Sequence, residues 1–467
     1  MTSPADLIPV PQAAQTLGAA FADAGFELHL VGGTVRDALM GRPSQDLDFA
    51  TDARPERTLE LVTPIASAIW TTGQEFGTIG ARVGGVMCEI TTYRADRYDR
   101  VSRNPAVEYG ESLEEDLRRR DFTMNAMALS VTGERRFADP FGGLGDLVKY
   151  VLRTPASPQE SFADDPLRML RAARFVATLG MVPTGEVIAA MTELAPQLGR
   201  ITAERVQVEV SKLLLGADPR TGIELLVDTG LAELVLPEIP ALRMADDEHG
   251  QHKDVYAHTL QVLEQAMELE DDGPDLVLRM AALLHDIGKP ATREFQPGGR
   301  VSFHHHEVVG RAMARKRLRE LRYSKQFVED VTRLVFLHLR FYGYRDGDWT
   351  DSAVRRYVVD AGPLLPRLHK LVRSDCTTRN KRKAAMLSAA YDSLEQRIAE
   401  LQEREELDAI RPDLDGNEIM KILGIGPGPA VGQAWQFLKQ LRMEHGPLEH
   451  DRAIEELKRW WVQQQDD

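Results

Sequence analysis

In "QDLDFAT", Asp46 and Asp48 stand two residues apart. In a strand both point to one side, while Leu47 and Phe49 face the core. Two carboxylates on one face repel each other unless something positive lies between them. Oxygen ligands at this spacing suit Mg²⁺, which in a two-metal arrangement activates an attacking hydroxyl and holds leaving pyrophosphate oxygens. The competing reading is a solvated strand edge. Just upstream, "LHLVGGTVRDALMG" reads as an apolar strand, a turn at Gly32-Gly33 and a helix that stops near Gly41. Glycine lets backbone N–H groups at Gly33 approach a phosphate, and the helix N-terminus adds partial positive charge. Arg36, one turn into that helix, is placed to hold a triphosphate by paired hydrogen bonds. A glycine pair before a helix is often only a turn. Followed by Arg and then by a D-x-D strand, it points to nucleotidyl transfer.

A second group lies downstream: His258, His285-Asp286, His306, His338 and Asp375. A lone His on an apolar helix is usually a packed core residue. A His-Asp doublet with an upstream His and a downstream Asp is different, because neutral imidazoles and carboxylates at helix ends build a divalent-metal site.

These residues need elements to hold them. The first 150 residues alternate strand-like runs (HLVGG, LDFAT, GTIGARV, CEITTYR, MALSV) with helical pieces. Beyond "LRTPASPQESFADDP", apolar residues recur at helical spacing nearly to the end. The expected fold class is α+β: a small mixed head over 1–155, an all-helical neck over 156–245, a further helical domain over 246–395 and a helical tail over 396–467. Seams are expected near 240–254 and in the charged run at 394–412. A length of 467 residues exceeds one ordinary core, and 43% hydrophobic with 28% charged residues excludes a disordered or fibrous chain. The N-terminus shows no basic-then-apolar secretory pattern and no long apolar run suggests a membrane span. Cys88 and Cys376 are too few for a disulfide framework, so a reducing cytoplasm is expected. The net charge of −15 argues weakly against nucleic-acid binding. The basic residues cluster, however, in "RAMARKRLRELRYSK" (311–325) and "RNKRK" (379–383), where a solvated helix face is the competing reading.

"LVGGTVRDALMG…QDLDFAT" resembles the head of class II tRNA nucleotidyltransferases and bacterial poly(A) polymerases, within the polymerase-beta-like superfamily. The resemblance continues through "EITTYRADRY", "RRRDFTMNAMAL", "DPFGGLGDL" and "DDPLRMLRAARF", and resumes in the last fifty residues. It implies a polymerase-beta-like head, catalytic Asp46 and Asp48 on Mg²⁺, and Arg120 touching the incoming nucleotide. Asp121 better suits an ion pair that fixes the fold, and Glu89 is a candidate third acid. The resemblance also implies that Asp165 and Arg168 act as a protein template for the base. A carboxylate accepts from an exocyclic amine and a guanidinium donates to a ring nitrogen, a pairing that cytosine and adenine satisfy and uracil and guanine do not. From the residues alone, Asp165 before Pro166 is an N-cap. Arg171 and Arg174, buried on the same helix, need anionic partners that a triphosphate would supply.

The His/Asp group resembles the HD phosphohydrolase superfamily. That resemblance gives His258, His285, Asp286 and Asp375 to a first metal, and leaves His306 and His338 for a second metal or a substrate phosphate. "GPGPAVG" opens a helix whose N–H groups could grip a tRNA phosphate. The function implied is addition or repair of the 3′-terminal CCA of tRNA from CTP and ATP, with tRNA as partner and no membrane or protein partner inferred. The alternatives are a poly(A) polymerase, an A-adding enzyme, or an HD phosphohydrolase with a vestigial head. A CC-only variant is disfavoured by the loop "ADRYDRVSRNPAVEYGESLEEDL", which the resemblance links to the final A.

Overall fold

The strand-like runs of the head become one sheet. Its strands are β1 (Leu28–Val31), β2 (Asp46–Thr51), β3 (Ala68–Trp70), β4 (Thr78–Val83), β5 (Val86–Thr92), β6 (Ala128–Ser130) and β7 (Phe137–Ala138). They lie in the order β3-β4-β5-β2-β1-β6-β7. Only β2 and β5 run parallel among these pairs; the rest are antiparallel. The computed structural model describes residues 3–42, 46–94, 110, 112–244, 254–297, 301–345, 349–378, 380–405 and 411–466. The chain divides into two compact units, Met1–Val235 and Leu236–Asp467.

Position in the sheet explains the burial pattern. β1 has hydrogen-bonded neighbours on both edges, and all four of its residues are buried. β2 lies between β1 and β5, with Leu47 and Phe49 buried, Asp48 half-buried and Asp46 exposed, the alternation expected from the sequence. Asp48 stands opposite Glu89 in the parallel register. β4 and β5 are joined through Gly84-Gly85, both at positive φ (56° and 84°), with Val83 opposite Val86. A two-residue hairpin turn with left-handed backbone at both positions selects glycine there. The short edge strands β3 and β7 were not legible in the sequence, since two or three residues carry too little alternation to register.

The helix α1 (Gly33–Leu39) follows β1 directly, and Gly41 at φ 70° ends it as expected. Later in the same unit, α2 (Leu167–Leu179) buries Met169, Leu170, Ala172, Ala173, Phe175 and Val176. It packs against α3 (Ala203–Leu214) and the helix Pro219–Asp228. The unit is therefore a mixed sheet followed by a helical region, in agreement with the α+β expectation.

The second unit is helical apart from a small two-stranded ribbon. Its helices include α4 (Val255–Glu268), α5 (Leu276–Leu284), α6 (His306–Glu320), α7 (Lys325–Leu337), α8 (Leu365–Ser374) and α9 (Lys381–Glu405). Every residue of α5 from Leu278 to Leu284 is buried, as befits a central helix, and α4, α7 and α8 pack around it. Asp275 caps α5 and Ser324 caps α7 through their side-chain oxygens. Three shorter-range helices, Gly416–Leu423, Pro429–His445 and His450–Asp466, close around Leu414, Ile419, Ala434, Leu438, Ala453 and Leu457. The helix opened by "GPGPAVG" begins after Gly428, as read. α9 runs unbroken across residues 395 and 396, where a domain division was expected. The expected division at 245, most of the seam at 240–254 and most of the loop at 95–111 lie outside the described residues.

Candidate active site

Backbone geometry at the end of β1 sets the floor of the site. Gly32 sits at φ 64°, ψ −131°, and an added Cβ would lie 2.9 Å from Arg120 Nη1. Only glycine combines that conformation with such close approach. Thr34, in the first turn of α1, ties the helix to β2: its hydroxyl accepts from the Asp48 N–H at 2.9 Å. This positioning residue was missed by sequence reasoning, and no spacing pattern would have marked a threonine after a glycine pair.

Asp48 faces a cavity of about 690 Å³ whose lining includes Gly32, Gly33, Arg36, Arg120, Arg171 and Arg174. Arg42 and Lys212 complete six cationic side chains in that lining, against three carboxylates, Asp37, Asp48 and Asp121. Burial, followed by the neighbouring Glu89 and Asp46, pushes the Asp48 carboxyl up to about 6, with Arg120 and Arg36 opposing. A carboxylate so burdened gains by meeting a cation. The donor set fits a hard divalent ion: Asp46 and Asp48 project from one face of β2, and Glu89 stands opposite Asp48.

Around this edge the arginines are held by the protein itself. Arg36 donates to both Asp37 oxygens (2.8 and 2.9 Å) and to Asn125 Oδ1 (2.7 Å). Arg120 donates to Asp116 (Nη2 to Oδ2, 3.0 Å). Asp121 accepts from Phe122 N–H (2.8 Å), Asn125 Nδ2 (2.9 Å) and Arg171 Nε (2.8 Å). Burial would raise the Asp121 carboxyl, yet Arg171 and Asn125 hold it well below the usual carboxylate range. The ion-pair reading of Asp121 fits this geometry. Arg174 is buried and lies 3.1 Å from Glu209. Burial, aided by Arg171, brings its guanidinium down to about 10 against the pull of Glu209.

One expectation changes here. The anionic partners of Arg171 and Arg174 are Asp121 and Glu209, not a triphosphate alone, because the fold must neutralise buried guanidinium groups before any ligand arrives. Glu209 was overlooked, although an acid among Val206, Val210 and Leu213 on the apolar face of α3 was a signal. Asp165 and Arg168 stand outside the lining of this cavity. Asp165 accepts from Leu167 N–H (3.1 Å), so the helix-capping reading holds, and its other oxygen accepts from Arg205 (2.8 Å). Arg168 donates to the Ser161 hydroxyl (2.8 Å) and to the Arg119 carbonyl (2.5 Å). Arg205, also missed, lies in an ordinary charged stretch that gives no signal.

In the second unit, six residues from five segments converge, His285 and Asp286 being adjacent. His258 comes from within α4, while His285, His338 and Asp375 are the residues that end α5, α7 and α8, and His306 begins α6. Nδ1 of His285, His306 and His338 contacts the carbonyls of Ala282, Phe303 and Val335 at 2.7 to 2.8 Å. A carbonyl only accepts, so each Nδ1 carries the proton and each Nε2 lone pair turns inward. Those three Nε2 atoms are buried without a hydrogen-bond partner among the described residues. Unpartnered, inward-aimed imidazole nitrogens beside carboxylates are what a divalent ion needs. The ligand atoms form two sets, His258–His285–Asp375 and Asp286–His306–His338, each within 4.8 Å. Asp286 Oδ2 also lies 3.5 Å from His258 Nε2, beside the first of these sets. Asp286 presents Oδ2 to His285 (3.1 Å) and Oδ1 to His306 (3.2 Å), so it bridges the two groups. Burial and the adjacent His285 lower His338 to about 4, which keeps it neutral near pH 7. Lys289 pairs with Asp286 at 2.5 Å.

An acid-bearing edge on a mixed sheet, a glycine turn, a cation-lined cavity and a helical His/Asp centre together define a nucleotidyltransferase head joined to an HD-type helical unit. Comparison with known proteins agrees. Residues 28–153 match the Poly A polymerase head domain, 180–242 the probable RNA and SrmB-binding site of polymerase A, and 255–400 the HD domain. The A-adding tRNA nucleotidyltransferase of Deinococcus radiodurans is 35% identical over 441 residues, covering 92% of this chain and 95% of that one. The CCA-adding enzyme of Streptococcus gordonii is 41% identical over 221 residues, 47% of this chain and 54% of its own length. The crystal structure of the Bacillus stearothermophilus CCA-adding enzyme in complex with CTP superposes with a TM-score of 0.69 at 26% identity, covering both chains fully. The chain belongs to the family of tRNA nucleotidyltransferases and bacterial poly(A) polymerases. No helix among the described residues is long and apolar enough to cross a membrane.

Proposed function

We propose that this protein adds nucleotides to the 3′ end of tRNA without a nucleic-acid template, building or repairing CCA from CTP and ATP. The observation that carries the reading is the cavity that gathers the Asp48 edge, the Gly32–Gly33 turn and six cationic side chains. Phosphates and a divalent ion are the ligands that such opposed charges suit together. Asp46 and Asp48, with Glu89 as a further acid, would hold Mg²⁺. When bound, the ion activates the tRNA hydroxyl and holds the pyrophosphate oxygens. The Gly33 end of α1, Arg36, Arg120, Arg171 and Arg174 orient the triphosphate. Asp165 and Arg168 select cytosine and adenine. In this reading Asp165 exchanges the N–H of Arg205 for the exocyclic amine of the base.

The HD cluster would hold a second divalent ion, His258, His285 and Asp375 on one side and Asp286, His306 and His338 on the other. Two unpaired cysteines suit a reducing cytoplasm. A second reading, addition of the terminal A alone, is favoured by the full-length similarity to the Deinococcus radiodurans A-adding relative.

Labelled CTP and ATP offered separately to tRNA ending at the discriminator base and to tRNA ending in CC separate these readings. CCA addition gives two CMP on the first RNA and one AMP on the second. A-only addition gives AMP on the second and nothing from CTP. A run of A on either RNA would indicate poly(A) synthesis. Phosphate release with no nucleotide gained would leave the HD centre as the sole activity and refute the proposal.

A further inference from the structure

The basic segment at 311–325 is left unused by the reaction, and the structure turns it into a defined surface. α6 and α7 pack as a hairpin. Its two ends meet where the rings of His306 and His338 lie 5.3 Å apart. Along α6, Arg311, Arg315 and Arg319 recur every four residues, which stacks them on one side at about 6 Å per step. From α7 and just beyond it come Arg333, Phe336 and Arg340.

These side chains are poorly neutralised. Among the described residues no carboxylate lies within 4.0 Å of Arg311, Arg315 or Arg319, and Nε of both Arg311 and Arg315 is buried without a hydrogen-bond partner. Among the described residues Asp360 is the acid engaged: its carboxylate pairs with Arg340, and its carbonyl accepts from Arg333 without cancelling that charge. The nearby Glu320 is taken by Arg317 at 3.0 Å. Burial lowers the Arg311 guanidinium, and the like charges of Arg315 and Arg333 add to the shift. Phe336 lies beside Arg311 (4.9 Å) and Arg340 (5.9 Å), a cation–π contact that leaves the charge of Arg311 without a carboxylate partner among the described residues.

We propose that Arg311, Arg315 and Arg319, with Arg333 and Arg340 beside them, form a second docking strip for the phosphate backbone of the RNA substrate, separate from the nucleotide cavity. A chain of net charge −15 repels a polyanion overall, so RNA must be received on local concentrations of unneutralised Arg. The repeated spacing along one helix suits a ligand with repeated phosphates better than a single anion. Guanidinium groups suit bidentate contact with phosphate. The choice of RNA over an acidic protein rests on the tRNA reading above.

The test uses the full chain and a tRNA transcript lacking its CCA, with binding followed by fluorescence anisotropy from about 50 to 200 mM salt. For R311Q/R315Q, the slope of log affinity against log salt should become shallower by roughly 1.4 to 1.8, with binding about tenfold weaker at the low-salt end. KM for tRNA should rise while kcat at saturating tRNA stays within about twofold. An unchanged slope and affinity in a variant with wild-type thermal unfolding overturns the strip. Should that variant unfold, the exposed Arg319→Ala serves instead, with a slope change of about 0.7 to 0.9 expected and none overturning the proposal. Polyglutamate is the control ligand: a variant that loses polyglutamate but keeps tRNA also overturns it, in favour of an acidic protein partner. Because anisotropy needs no turnover, a protein that adds no nucleotide yet shows the altered slope fails the reaction reading and retains the strip.

Discussion

The two candidate centres solve opposite electrostatic problems. In the head, several arginines are paired from within, yet the cavity lining still carries six cationic side chains against three carboxylates, and Asp48 is held protonated more readily than an ordinary carboxylate. In the HD cluster, three imidazoles are oriented by backbone carbonyls behind them, and two carboxylates supply the negative charge. The first arrangement suits binding and release of highly charged substrates at every turnover. The second suits an ion that stays. An exposed strand face and a buried meeting of helix ends are the structural sources of that difference.

The largest test of the contrast removes the head acids. D46A/D48A should lower nucleotide incorporation at least ~10³-fold, since several kcal/mol of charge stabilisation in the transition state disappear. Metal content measured on the purified variant should retain the ion of the HD cluster. Loss of all bound metal in D46A/D48A would break the comparison. The converse variant, D286N, should strip the HD ion while incorporation persists.

Next in size is the buried pair behind the cavity. Glu209→Ala leaves the Arg174 guanidinium, about a tenth exposed, without its partner. Thermal or denaturant unfolding should show a loss of roughly 3–5 kcal/mol. A loss below about 1 kcal/mol would mean that Arg174 is neutralised by other groups.

A smaller effect follows from Asp48. Its carboxyl binds a proton more tightly when folded, about 6 against an ordinary value near 3.8. Below pH 4 both states are protonated and the shift costs nothing. As pH rises from 4 to 6 the folded protein must ionise Asp48 at a penalty, which is complete above 6. With metal chelated, Asp48→Asn should therefore be more stable than the native protein above pH 6, by up to about 3 kcal/mol, and no more stable below pH 4. Saturating divalent cation should cancel the advantage. The smallest expected effect is that of Gly32→Ala, roughly 1–2 kcal/mol of backbone strain, with displacement of Arg120 visible as a raised KM for nucleotide.

Much of this was legible in the sequence because its signals are local. Glycines at the strand-to-helix turn, an i, i+2 acid pair, a His-Asp doublet and helical apolar spacing each state their meaning within a few residues. Thr34 and Arg205 were not legible, and Glu209 showed only as an acid on an apolar helix face. Their roles depend on which distant atoms they meet: the Asp48 N–H, Asp165 and Arg174. The bridging place of Asp286 was unreadable for the same reason, since only the positions of α5 to α8 decide which oxygen faces which imidazole.

The sequence by itself determined which side of β2 carries the acids, where α1 starts and stops, and which residue types bear metal-binding chemistry. Those properties follow from backbone periodicity and side-chain inventory. Tertiary structure alone decided that Arg171 and Arg174 are neutralised from within, that Asp165 is held by Arg205, and that three imidazoles turn their free nitrogens inward. Burial makes charge and hydrogen bonding global constraints: whether a group is satisfied depends on neighbours tens of residues away.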